Sequence, residues 1–250
     1  MNSGVFDNLL VLLVNLDRSP ERLANMTERL SQFSFKWERL SAVDGGLMPE
    51  LCPAEVDEKL YEKRHGKSLA RAEVGCYLSH IQAMRQFLES DKTHLLICED
   101  DACFQPDFEV VLERLLQNEK EVWDVVKLSG FHNPQLIYSH RLYKEYVLGV
   151  PMGRHRNTAA VVYNRHAAAQ FVKQMLPMSI PFDHALELPW LYDAKLRVVD
   201  PCPVQAGDGT ESTIVGTKTR KFKWYRRLST YAFRLKTDIA RIIWAISSKS

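Results

Sequence analysis

His94-Leu-Leu-Ile-Cys-Glu-Asp-Asp-Ala-Cys-Phe104 is the stretch on which the reading of this chain turns. Four apolar residues, Leu95 to Cys98, run into three adjacent carboxylates, Glu99, Asp100 and Asp101, and the chain turns apolar again at Ala102. The apolar run has the length of a buried strand, so that strand ends in concentrated negative charge. Three neighbouring carboxylates repel one another, and holding them at a strand end requires solvent, a cationic partner or a metal ion. Taken alone, the stretch also fits a solvated loop or caps for a following helix.

Working outward, Glu73 to Leu88 carries Val74, Tyr77, Leu78, Ile81, Met84 and Leu88 on one apolar face and reads as a helix feeding the acidic strand. Leu9 to Val14 reads as a buried strand, and Ser19-Pro20-Glu21 supplies an N-cap, a proline at the first helical position and a first-turn acid for a helix through Leu23, Met26, Leu30 and Phe33. Phe35 to Leu40 suggests a second strand ending at Ala42-Val-Asp-Gly-Gly46, and Leu47 to Lys67 a loop with a short helix. Downstream, Asp107 is placed to cap a helix, Val122 to Leu128 reads as a strand, and Asn133 to Pro151 as a long irregular loop. Ala159 to Tyr163 reads as a strand, Asn164 as the cap of a helix through Met175, and Leu196 to Val199 as a late strand. This alternation predicts one α/β domain around a largely parallel sheet.

Composition agrees with a globular domain: 250 residues, 46% apolar and 26% charged. Five cysteines without a C-x-x-C pair suggest reduced thiols and a cytoplasmic setting. The first residues lack the basic n-region of a signal peptide, and the Leu9–Val14 run is too short to span a membrane. The net charge of +2 conceals an asymmetry, because from Lys218 onward there are ten Lys or Arg against one acid. We expect residues 1–217 to form the main, catalytic domain and 218–250 a basic amphipathic tail. Trp224, Leu228, Tyr231, Leu235, Ile239, Ile242 and Ile246 recur there at three or four, with arginines between them. Such a helix suits an anionic membrane surface. An acidic body and a bulky apolar stripe weigh against nucleic acid, and packing onto the domain is the structural alternative.

The order of motifs resembles glycosyltransferase family 25. The pieces are Val14-Asn-Leu-Asp-Arg-Ser-Pro-Glu-Arg22, Ala42-Val-Asp-Gly45, Glu73-Val-Gly-Cys-Tyr-Leu-Ser-His80, Leu96-Ile-Cys-Glu-Asp-Asp-Ala102, Thr158-Ala-Ala-Val-Val-Tyr-Asn164 and Ile180-Pro-Phe-Asp-His-Ala-Leu-Glu187. The resemblance implies an A-type nucleotide-sugar glycosyltransferase fold, Rossmann-like with helices flanking the sheet. It also implies a UDP-sugar donor, UDP-galactose first, and a lipooligosaccharide or lipopolysaccharide acceptor, lipid-linked and met at the inner face of the inner membrane, with inversion to a β-linkage. UDP-glucose or another UDP-sugar, and a non-catalytic glycan- or partner-binding role, are the alternatives.

A hard divalent cation, Mn²⁺ or Mg²⁺, held by carboxylates and phosphates would neutralise the leaving diphosphate. The resemblance assigns it to Asp101, with Asp100 beside it and Glu99 and Asp100 reaching the ribose or a metal-bound water. It implies that Asn15 and Leu16 line the uridine or ribose site, with Asp17 beside them, and that Arg18 or Arg22 meets phosphate. Ala42, Val43, Asp44 and Gly45 would form a wall near the base and ribose, and Ser79 and His80 would bond donor or diphosphate. Asp183 is the candidate general base, with Glu187 as the alternative. As plain structure, Asp44 would make a turn, His80 a packing residue and Asp183 a helix cap.

Overall fold

The computed structural model describes residues 4–117, 123–131, 134–207 and 221–248. Strand β1 (Leu9–Asn15) is buried along its length and leads to helix α1 (Pro20–Ser31), which starts on Pro20 without a side-chain cap from Ser19. Strand β2 (Glu38–Ser41) follows, then α2 (Glu58–His65), capped by Asp57, and α3 (Arg71–Glu89), which delivers the chain to β3 (His94–Glu99). After β4 (Ala102–Phe104) come α4 (Phe108–Leu116), β5 (Val125–Lys127), β6 (Leu136–Tyr143), β7 (Tyr146–Pro151) and β8 (Ala160–Asn164). Helix α5 (Arg165–Gln174) is capped by Asn164, whose side chain accepts from the Ala167 N–H at 2.9 Å, as its spacing predicts. The chain closes with α6 (Phe182–Leu186), β9 (Leu196–Asp200), β10 (Val204–Ala206) and α7 (Leu228–Ser247).

Eight strands form one sheet in the order β2-β1-β3-β8-β5-β9-β7-β6, and β4 pairs with β10 beside it. The sheet is mixed rather than largely parallel. Strands β1, β2 and β3 run together, as do β5 and β9, but β8 is antiparallel to both β3 and β5, and β7 to both β9 and β6. A parallel neighbour requires a crossover; β6 and β7 are joined by a tight turn and so reverse, whereas β7 and β8 run in the same direction with β9 and β5 between them. Asn133 to Pro151 is largely this hairpin and not an irregular loop, with Asn133 itself, like Val122, outside the described residues. The tight turn carries no glycine or asparagine to signal it, since Lys144 itself adopts a left-handed conformation at φ 44°. Asp107 precedes α4 without capping it, because its carboxylate pairs with Lys144 at 2.9 Å.

Side-chain alternation divides the core between the two faces of the sheet. Leu10, Leu12, Val14, Leu95 and Ile97 pack toward α3 and α5, and Leu9, Val11, Leu13, Leu96 and Cys98 toward α1 and α4. Helix α7 packs against α2. It buries Thr230, Arg241 and Ala245 and turns Leu228, Leu235, Ile239 and Ile243 to solvent, each more than half exposed. The expected boundary at 217/218 lies outside the described residues. Among them, no helix is long and apolar enough to cross a membrane.

Candidate functional site

The register of the three parallel strands assembles the site. Asn15 pairs with Ser41 and Val14 with Glu99, so the carboxyl ends of β1, β2 and β3 meet at one edge, the place where open α/β sheets bind ligands. A cavity of about 220 Å³ opens there. Its wall is aliphatic at Val14, Leu16, Ala42 and Val43, and its polar end holds Glu99, Asp100 and Asp101.

Alternation sends the acidic side chains to different sides. Glu99 continues the Leu95 and Ile97 face toward α3, where His80 Nε2 lies 3.2 Å from its Oε1 and Thr158 donates to the same oxygen at 2.7 Å. Burial raises the Glu99 pKa, but the bonds from His80 and Thr158 and the charge of Lys127 outweigh it and hold the carboxyl below its ordinary value. Asp100 points back toward α1 and accepts from Asn15 Nδ2 at 2.8 Å and from Arg22 at 2.9 Å. Asp101 Oδ1 is buried and has no hydrogen-bond partner among the described residues. Burial, then the charges of Glu99 and Asp100, push the Asp101 pKa up to about 6. An orphaned carboxylate oxygen beside two other carboxylates fits a hard cation.

A second donor set lies alongside. Cys76, His80 and Glu99 offer ligand atoms within 4.8 Å of one another and can hold a divalent ion. Cys76 is one turn before His80 on α3, a spacing legible in the sequence. Burial keeps its thiol well above the usual range, so it suits a hard cation less than the carboxylates do.

The loop from Ala42 to Gly46 is pinned to α3. The Val43 N–H donates to Ser79 Oγ at 2.8 Å, and Ser79 in turn donates to the Gly75 carbonyl at 2.7 Å. Ser79 thus lines the cavity and holds its wall. Asp44 caps the following turn by accepting from the Gly46 N–H at 2.9 Å and pairs with the rim residue Arg18 at 2.6 Å.

Leu16, Arg18, Arg22, Ala42, Val43, Asp44, Gly45, Ser79, His80, Glu99, Asp100 and Asp101 all line the cavity. Asn15 and Asp17 do not. Asn15 falls on the opposite face of β1 and is 1% exposed, its amide donating to Ser19 O and Asp100 while its oxygen accepts from Arg39. Asp17 faces solvent and pairs with Arg39 at 2.5 Å and with Ser41. Gly46, in the glycine turn that the sequence marks, lines it too, as do Arg71, Ala72 and Cys76, to which sequence reading gave no binding role.

Asp183 and Glu187 part company because α6 ends at Leu186. The Asp183 side chain does not cap α6; it accepts from the His184 N–H at 2.9 Å, within the first turn. Burial raises the Asp183 pKa, while Lys127 and Arg156 draw it back and Glu99 lifts it. Glu187 is buried, accepts from the His155 N–H at 2.5 Å, and sits 3.5 Å from Lys127 and 3.7 Å from Arg241. Its oxygens are committed to neutralising those cations. Lys127, at the end of β5 and fully buried, donates to the His155 carbonyl; no motif pointed to it. His80 stacks on Phe182 at 4.1 Å, which ties α6 to the acidic end of the cavity.

Comparison with known proteins bears on this arrangement. The profile of the family described as Glycosyltransferase family 25 (LPS biosynthesis protein) matches residues 9–186. The inactive glycosyltransferase 25 family member 3 of Homo sapiens is 30% identical over 126 residues, covering 48% of this chain and 21% of the relative. Procollagen galactosyltransferase 1-A of Xenopus laevis is 28% identical over 126 residues, again 48% and 21%. The chain thus aligns with only about a fifth of the length of these relatives. Among solved structures, Staphylococcus aureus TarS 1-349 superposes with a TM-score of 0.45 at 14% identity, covering 80% of this chain and 60% of that one.

Proposed function

The chain belongs to glycosyltransferase family 25, and from that premise we propose that it transfers a hexose from a UDP-sugar, bound in the cavity at the ends of β1 to β3, to a glycan acceptor. The observation that carries the reading is the buried, unpartnered Asp101 Oδ1 at the acidic end of that cavity. It is a position made for a cation and a diphosphate, and costly to leave bare.

The aliphatic wall of Val14, Leu16, Ala42 and Val43 takes the uracil and ribose and excludes water, and Arg18 on the rim meets phosphate. Asp101, with Asp100 and Glu99 beside it, would hold Mn²⁺ or Mg²⁺. Bound there, the ion supplies neutralisation of the charge that builds on the leaving diphosphate. Thr158 and His80 fix the orientation of Glu99. Asp183 takes the proton of the acceptor hydroxyl, whose oxygen forms a bond to the anomeric carbon as the bond to the diphosphate breaks and its electron pair leaves on UDP. Its raised pKa suits a base. Glu187, committed to Lys127 and Arg241, is the weaker candidate.

In its finer form the proposal is UDP-galactose as donor, a lipooligosaccharide acceptor and inversion to a β-linkage, performed at the inner face of the inner membrane. The outward apolar face of α7, with Lys223, Arg226 and Lys236 exposed around it, supports attachment to an anionic surface. A donor panel of UDP-sugars with and without Mn²⁺, on wild type and Asp101→Ala, tests the reading; full activity in the variant would remove the metal assignment. A second reading, a glycan-binding member without transfer, is favoured by the name of the human relative, which is called inactive. Absence of both transfer and UDP-sugar hydrolysis, with UDP still bound, would select it.

A further inference from the structure

A second cleft, lined by His184, the neighbour of Asp183 on α6, shares no lining residue with the nucleotide cavity. Five arginines converge there: Arg64 on α2, Arg154 and Arg156 between β7 and β8, and Arg234 and Arg241 on α7. The acids at hand are few. Asp238 binds Arg154 through two bonds of 3.0 and 2.6 Å and also takes Arg241 at 2.8 Å, while Glu187 is shared between Arg241 and Lys127. Arg64 is held without a carboxylate, donating to Ser179 Oγ at 2.6 Å with its guanidinium 5.2 Å from the Phe233 ring centre. Among the described residues, neither Arg156 nor Arg234 has a carboxylate within ion-pair distance.

The surplus charge is felt by its neighbours. Burial lowers the Arg234 pKa, and Arg154, Arg227 and Arg156 lower it further. His184, on the cleft wall with its ring 5.1 Å from that of His65, is held down to about 3 by burial and then by Arg156, Arg154 and Arg234. Half-buried guanidiniums that repel one another are relieved by an anion, and their planar forks match an oxyanion in two-point contact. The cleft, about 30 Å³ against about 220 Å³ for the nucleotide cavity, is too small for a nucleotide.

We propose that this arginine cleft binds an oxyanion, a phosphate or carboxylate, carried by the acceptor. The proposal rests on the transferase reading in one respect, that the acceptor meets Asp183. Asp183 stands on α6 between Phe182, which stacks on His80 of the donor cavity at 4.1 Å, and His184, which lines the cleft, so an acceptor hydroxyl presented to Asp183 leaves a neighbouring anionic substituent among the arginines.

Inorganic phosphate is the probe, titrated calorimetrically with the nucleotide cavity saturated by UDP. Wild type is expected to bind it, and Arg156→Gln/Arg234→Gln to lose at least about tenfold in affinity, with Arg234→Lys intermediate. UDP affinity unchanged within about twofold in the double variant shows that it has folded. No phosphate binding by wild type, or equal binding by the double variant, overturns the proposal. Wild type that binds phosphate but never UDP sinks the transferase reading and leaves the cleft standing. Two further arms separate sources: a sugar phosphate that competes with inorganic phosphate supports the acceptor, whereas competition by phosphatidylglycerol vesicles and not by any sugar phosphate overturns the acceptor assignment.

Discussion

Gly45 and Gly75 touch backbone to backbone, so that a Cβ on Gly75 would sit 2.7 Å from the Gly45 nitrogen. The wall of the cavity at the ends of β1 to β3 is thereby held against α3 with no side chain between. Gly75→Ala is expected to cost about 1–3 kcal/mol in urea unfolding and to weaken UDP binding about tenfold, because the wall must move out. A variant as stable as wild type with the same UDP affinity would show that the contact positions nothing.

Asp101→Asn removes one of three crowded carboxylates. Without divalent ions the variant is expected to be at least as stable as wild type, since repulsion is relieved. Saturating Mn²⁺ should raise the wild-type Tm by about 5 °C and leave the variant unmoved. Equal Mn²⁺ shifts in both proteins would transfer the ion to Cys76, His80 and Glu99.

Asp183 and Glu187 are separable by what each substitution damages. Asp183→Asn should lower kcat by about 10³-fold while UDP binding persists. The wild-type rate should rise with pH through a value above the ordinary carboxylate range, because burial raises that pKa. A carboxyl whose folded pKa is raised contributes stability below its unfolded value and loses it as pH rises through the folded one. Asp183→Asn should therefore melt higher than wild type at neutral pH. Glu187→Gln should instead lose about 3–5 kcal/mol of stability by leaving the buried Lys127 without its carboxylate, Arg241 keeping Asp238, with kcat per folded molecule preserved. Reversal of the two phenotypes would exchange the two roles.

Ile239→Glu/Ile243→Glu alters only the outward face of α7. Co-sedimentation with anionic liposomes should fall about tenfold or more, with Tm unchanged within about 2 °C. Truncation after Thr217, the expected boundary, would confound the result, because it also removes Arg241 from Glu187. Unaltered sedimentation of the double variant would locate any surface binding elsewhere.

The first hundred residues were legible because their strands alternate with helices, and period-two burial then explains why Glu99 turns to His80 and Asp100 to Arg22. What escaped reading was long-range. Asn15 lies on the face of β1 away from the cavity, and choosing that face needs the register with β3. Lys127 looks like an unremarkable strand-end lysine until β5 is set beside β8 and β9, where it becomes the buried partner of Glu187. The β6–β7 hairpin was hidden by a turn whose left-handed residue is a lysine. The arginine cleft draws on α2, the loop after β7 and α7, segments separated by up to 177 positions, and no local pattern announces it.

Helix α7 presents Leu235, Ile239 and Ile243 outward and Arg234 and Arg241 inward. On the two proposals made for it, this one rod would carry two ligand-facing sides, and their free energies would be coupled through its docking. An oxyanion seated among the arginines would tighten the rod on the body, and a bilayer favouring the docked rod would tighten the oxyanion by the same factor. Acceptors would be retained at the surface and released away from it, so that the helix acts as a reciprocal coupler between location and occupancy.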